Sequence, residues 1–152
     1  MKTEIISAFP ATGKSYFAER SSYIVLDSDS SKFSWIRLGE RHPNFPQNYI
    51  EHIKAYLGEV DYILVSSHQE IRDALVAERL PFMLVYPADA CKAEYLDRCL
   101  GRGSPETFLN MLEANWEKFL GDCQATRGCT HRVLETQEYL SDVFETSCQE
   151  FR

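Results

Sequence analysis

Lys14 and Ser15 close an eight-residue run, Ala8-Phe9-Pro10-Ala11-Thr12-Gly13-Lys14-Ser15. The run matches the Walker A pattern G-x-x-x-x-G-K-[ST], with alanine in the first glycine position. Its chemistry is the wrapping of a polyphosphate. Backbone amides turn inward on phosphate oxygens, and a glycine beside the lysine allows close approach. Lys14 is expected to reach the β- and γ-phosphates of ATP, and Ser15 to bind Mg²⁺ through its hydroxyl. Pro10, Ala11, Thr12, Gly13, Lys14, Ser15 and Tyr16 are thus the expected nucleotide-binding residues. So relaxed a pattern arises by chance in about one chain in a hundred of this length. Here it also has the required strand before it, Glu4-Ile5-Ile6-Ser7, and a helical pattern after it, Tyr16 to Arg20. Alanine in place of the first glycine weighs slightly against the motif, because that glycine usually permits the tight turn.

Asp27 and Asp29 stand at alternating positions where a second apolar run ends, the edge at which open α/β sheets bind ligands. Asp27 is expected to coordinate Mg²⁺ or its water, or to accept the acceptor's proton. Asp29 is an acceptor contact or the alternative base; its plain role would be to cap the next turn. The two would face opposite sides if the strand continued. A third run ends in Val65-Ser66-Ser67-His68, where many phosphate-loop proteins carry an acid. Asp61 lies at the wrong end of that run, so the metal role falls on Ser15 and Asp27. Ser66 is placed to bond a phosphate or a water, or to cap a helix. His68 and Arg72 share one face of the following helix, from which Arg72 would clamp an acceptor phosphate.

Elements that position these residues follow from apolar periodicity. Strand-like runs at 3–8, 23–27, 62–66, 81–86 and 131–135 alternate with helix-length segments, which predicts a parallel α/β sheet in one domain, residues 1–152. The continuously apolar runs at 23–26, 62–65 and 82–86 read as central strands, covered on both faces. Ser67 with Glu70 forms a capping box, and Ser104-Pro105-Glu106 opens a helix over 105–121 whose Leu109, Leu112, Trp116 and Phe119 face the sheet. The stretch 28–48 has no sustained apolar period and reads as an irregular, solvent-facing insertion. Within it Phe33 and Trp35 are placed to stack on a base, and Arg37 with Arg41 to hold a phosphate.

The chain has 152 residues, a net charge of −7 and no apolar run near bilayer length. Five cysteines with no Cys-x-x-Cys pair suggest neither a disulfide framework nor a zinc site and fit a reducing cytosol. The expected location is the cytoplasm, with no membrane partner. Net negative charge disfavours long nucleic acid while leaving small phosphorylated ligands open.

With the phosphate loop and the Leu26-Asp27-Ser28-Asp29 run in place, the chain resembles the P-loop kinases of the nucleoside monophosphate kinase group. That group includes shikimate- and gluconate-kinase-like enzymes and small phage-encoded kinases. The resemblance implies a three-layer fold with a five-stranded parallel sheet of order 2-3-1-4-5, helices on both faces. It implies a short lid near 88–104 whose Arg98 and Arg102, four apart, reach the transferred phosphoryl group, unless Glu94 merely pairs Arg98 on a solvated surface. Thr136 and Gln137, after the fifth strand and before a final helix near Gln137, would line the adenine pocket, and the 28–48 insertion would hold the acceptor. The implied activity is transfer of the γ-phosphoryl group of ATP, with Mg²⁺, to a nucleotide or nucleoside-like small molecule. Alternatives are a kinase of a polynucleotide end or a modified DNA base, and an ATP-binding module without turnover.

Overall fold

In a parallel sheet, successive side chains turn to opposite faces, so a strand covered on both sides is apolar at every position. The computed structural model describes residues 2–37 and 40–144, with the backbone alone for Ile36 and Arg37. Strand β1 (Glu4–Ala8) runs between β5 (Tyr62–Ser66) and β6 (Phe82–Pro87), with Ile5 opposite both Ile63 and Phe82. Beyond them lie β2 (Val25–Asp27), beside β5, and β7 (Thr130–Leu134), beside β6. All five strands are parallel. A separate antiparallel ribbon pairs β3 (Trp35–Arg37) with β4 (Glu40–Arg41).

Numbered along the chain, the sheet order is β2-β5-β1-β6-β7. It differs in label from the expected 2-3-1-4-5 because the unforeseen ribbon takes two of the numbers. The neighbours are the runs near 25, 62, 4, 82 and 130, in that sequence across the sheet.

One face of the sheet carries Ile5, Ile63, Leu84 and Tyr86 into the larger core cluster. That cluster takes Tyr49, Ile50 and Ile53 from α3 (Gln47–Tyr56), Ile71 and Leu75 from α4 (Gln69–Ala77), Tyr95 from α5 (Lys92–Gly101), and Leu112, Trp116 and Leu120 from α6 (Glu106–Ala125). The other face meets Phe17 of α1 (Lys14–Arg20) and Leu140 of α7 (Leu140–Phe144) through Ile6, Leu64, Val85 and Leu134. Trp116, expected in the core, is buried there, and its indole N–H donates to Asp89 O at 3.0 Å. Edge-on contacts tie Trp116 and Tyr95 to Phe9, at 5.7 and 6.2 Å between ring centres. The loop at 8–15 is thereby rooted in the main core.

Several expectations change. The run at 23–26 is not central: β2 is an edge strand, and Ile24 is 55% exposed. Its apolar side chains serve local packing instead, as Tyr23 meets Tyr62 edge-on at 5.2 Å. The 28–48 stretch is not irregular. Asp29 Oδ1 accepts the Ser31 N–H at 2.9 Å and starts the short helix α2 (Ser31–Ser34), after which the ribbon and α3 follow. Phe33 does not wait for a base, because it packs on Tyr49 and His52, 5.2 and 4.6 Å between rings. Helix α4 begins at Gln69 without a side-chain cap, so Ser67 and Glu70 make no capping box. Helix α6 has Pro105 rather than Ser104 at its N-cap and runs on to Ala125. The last helix starts at Leu140, not Gln137.

Arg72 is the largest correction. It is 6% exposed, and its guanidinium is spent inside the fold. Nε donates to Ser67 O at 2.8 Å, and Nη1 donates to Asp122 O at 3.1 Å and to Thr126 Oγ1. It staples α4 to the far end of α6 rather than clamping an acceptor. Arg72→Ala should therefore lower the unfolding free energy by about 2–4 kcal/mol, since three charge-assisted bonds and the packing of a buried side chain are lost. Urea denaturation reads this directly, and a change within about 0.5 kcal/mol, typical of surface residues, would refute the staple.

Candidate functional site

Between β1 and α1 the backbone has to reverse within five residues, and Ala11 (φ 65°) and Gly13 (φ 91°) take left-handed conformations to do it. A β-carbon at Gly13 would come within 3.0 Å of the Tyr139 ring, so glycine is required there both for conformation and for space. Phe9 N–H donates to Val85 O at 2.9 Å, the last backbone donor satisfied before the turn. Among the described residues, the N–H groups of Ala11, Thr12, Gly13, Lys14, Ser15 and Tyr16 find no acceptor in the protein; pairing resumes with Phe17 N–H on Gly13 O at 3.0 Å. Six consecutive unpartnered amides, two of them on the buried residues Ala11 and Thr12, are rare in folded chains unless a ligand satisfies them.

Lys14 folds back over this turn, and its ammonium donates to Ala8 O at 3.1 Å. Its pKa is lowered, first by burial; Arg102 adds to the effect, while Asp27 and Asp29 oppose it. An ammonium so short of solvent gains from an incoming anion. Ser15 Oγ donates to Asp27 Oδ2 at 3.2 Å, bringing together the two groups expected to hold a metal. A hydroxyl and a carboxylate are hard oxygen donors of the kind Mg²⁺ takes, with phosphate and water completing its octahedron. Among the described residues no three acidic, His or Cys side chains form a cage.

These groups open onto a cleft of about 810 Å³ at the carboxyl ends of β1, β2 and β5. Pro10, Lys14, Ser15, Asp27, Asp29, Trp35, Arg41, Ser66, His68 and Arg102, ten of the expected site residues, line it together. Asp27 and Asp29 share the cleft rather than facing apart, because β2 stops at Asp27 and the chain turns. Ser66 Oγ donates to Ser30 Oγ at 2.9 Å across the floor, and Ser7 Oγ holds Ser66 O at 2.9 Å from β1. Trp35 and Arg41 form the rim: the Arg41 guanidinium lies 5.2 Å from the Trp35 ring centre and 5.1 Å from that of Phe45, and donates to Glu70 at 3.0 Å. The side chain of Arg37 lies outside the described residues. His68 is open to the cleft on one side, yet desolvation, then Lys14, lowers its pKa, so it is neutral at physiological pH.

Arg98 and Arg102 do not act as a pair. Arg102 caps α5 at the cleft, whereas Arg98 lies behind the phosphate loop with its side chain 10% exposed. It donates to Ala11 O at 2.9 Å and Glu138 O at 3.1 Å, pairs with Glu94 and stacks 3.8 Å from the centre of the Tyr139 ring. Glu94 also accepts the Gln137 N–H, and Leu140 N–H donates to Thr12 O at 3.0 Å. Thr136 and Gln137 are exposed on this flank, outside the cleft. Sequence reasoning missed Tyr139, Glu138 and the bracing role of Glu94; the i,i+4 spacing of Glu94 and Arg98 was the one available signal.

Removing the brace should loosen the loop. Arg98→Ala is expected to weaken ATP binding about 10- to 100-fold, the scale of a misplacement near 1 Å, measured by titration calorimetry. Because bound phosphate would raise the lowered pKa of Lys14 again, ATP binding at alkaline pH should take up protons. Buffers of different ionisation enthalpy report that uptake; none in the wild type would contradict it. No known family model matches the chain, and no curated protein matches it.

Proposed function

We propose that this protein is an ATP-dependent phosphotransferase of the P-loop NTPase fold, moving the γ-phosphoryl group to a nucleotide or nucleoside-like small acceptor. The observation that carries the reading is the row of six unpartnered amides from Ala11 to Tyr16, closed by Lys14 and opening onto two carboxylates. Amides and Lys14 hold the donor phosphates, Arg102 faces the charge that develops on the group in flight, and Ser15 with Asp27 holds Mg²⁺. Mg²⁺, when bound, neutralises phosphate charge and orients the donor.

Asp27 is engaged by Ser15, and Asp29 has one oxygen on Ser31 N–H while its other has no protein partner among the described residues. That division favours Asp29 as the base, taking the acceptor's proton as its oxygen receives the phosphoryl group. Catalysis here is positioning plus electrostatics, with no covalent enzyme intermediate.

Lys14→Ala should abolish transfer from labelled ATP to every acceptor in a panel of nucleosides, nucleotides, sugar acids and oligonucleotides, with the fold intact by circular dichroism. Equal turnover by wild type and variant would sink the proposal. Asp29→Asn should cut kcat by about 10²- to 10⁴-fold, whereas Asp27→Asn should also raise the Mg²⁺ concentration needed for half-maximal rate.

A further inference from the structure

Beside the cleft lies a second cavity that the phosphate chemistry does not use. It is about 180 Å³ and sits between α4 and α6, with Phe9 and Pro10 of the phosphate loop at its base. Phe108, Met111, Leu112 and Phe119 supply an apolar wall from α6. It is continuous with the cleft, because Pro10, Ser67, His68 and Phe108 line both. Whole small-molecule sites run to about 300–1,000 Å³, so this annex holds one group of a ligand whose remainder occupies the cleft.

We infer that the annex seats a flat, uncharged ring of nucleobase size belonging to the acceptor, whose hydroxyl or phosphate then lies between Asp29 and Lys14. This rests on the phosphotransferase reading above. Three observations select the occupant. Three phenylalanines and a methionine favour a ring through offset stacking and sulfur–aromatic contact over a flexible chain. The polar groups lie at the edges: His68, neutral by the argument above, at the passage to the cleft, and Gln69 on the rim, exposed and without a side-chain partner among the described residues. Such an amide offers both donor and acceptor to a ring edge. Finally, the two cations at the annex are already engaged: Arg72 through Nε on Ser67 O and Nη1 on Asp122 O and Thr126 Oγ1, and Lys118 with the Asp122 carboxylate at 3.1 Å.

The sequence placed a base on Trp35 at the far side of the cleft. There the Arg41 guanidinium already lies over one face of the Trp35 ring, 5.2 Å from its centre.

The test uses full-length protein saturated with Mg²⁺ and a non-hydrolysable ATP analogue, titrated with adenosine, guanosine, cytidine and thymidine, each with and without a 5′-phosphate. At least one should bind. Met111→Trp, which fills the annex from a position 39% exposed, should weaken that ligand at least about tenfold, or 1.4 kcal/mol. Gln69→Ala, on the rim and away from the core, should weaken it about threefold to tenfold, the scale of one net hydrogen bond. Nucleoside binding that both variants leave unchanged overturns the inference, as does failure of all eight ligands to bind. Failure of the ATP analogue itself to bind the wild type would instead overturn the phosphotransferase reading.

Discussion

A turn that keeps six amides away from every protein carbonyl is costly to hold, because its amides do nothing to tie it down. Side chains and the rest of the structure supply the restraint. Phe9 is rooted between Trp116 and Tyr95, Thr12 Oγ1 bonds back to Phe9 O at 2.8 Å, and Lys14 closes on Ala8 O. From the opposite flank Arg98 holds Ala11 O and the Leu140 N–H holds Thr12 O. The carbonyls are satisfied by the protein while the amides are left over, which is the asymmetry an anion site needs.

This restraint explains the division between the two arginines of the α5 segment. A guanidinium presents several donors in a fixed plane, so one residue can bridge backbone oxygens of two loops while stacking on an aromatic ring. Arg98 does this with Ala11, Glu138 and Tyr139. Arg102, beyond the last helical turn, is left to face the cleft. The loop at 8–15, α5 and the segment after β7 therefore form one mechanical unit.

The opposite wall of the cleft is built differently. Serine hydroxyls at 28, 30, 31, 34, 66 and 67 line it, and its charges are balanced: Lys14, Arg41 and Arg102 against Asp27, Asp29 and Glu70. Buried Tyr49 supports this wall by donating its hydroxyl to Ser28 O at 2.6 Å, and His52 Nε2 sits 2.9 Å from Ser28 Oγ. Both come from α3, so the segment that follows β2 is held against the main core at Ser28.

Much of this was legible in the chain. The tight turn between β1 and α1, its flanking strand and helix, the five parallel strands, the buried Trp116 and the meeting of Ser15 with Asp27 follow from local patterns. A loop's amide geometry, an apolar period and a strand end are each written within a few neighbouring residues. The ribbon in 28–48 was not legible, since two-residue and three-residue strands carry no period to detect. Nor was the edge position of β2, because an apolar run looks alike at the centre of a sheet and at its edge. The fates of Arg72 and Arg98 were hidden for a more general reason. Helical spacing says which side chains share a face, but which partner that face meets is decided by elements 50 to 90 residues away: Asp122 and Thr126 for Arg72, Ala11 for Arg98. The sequence alone determined that a tight strand–loop–helix turn ending in a lysine and a serine exists in this protein; only the tertiary structure decided which cations face the cleft and which hold the turn in place.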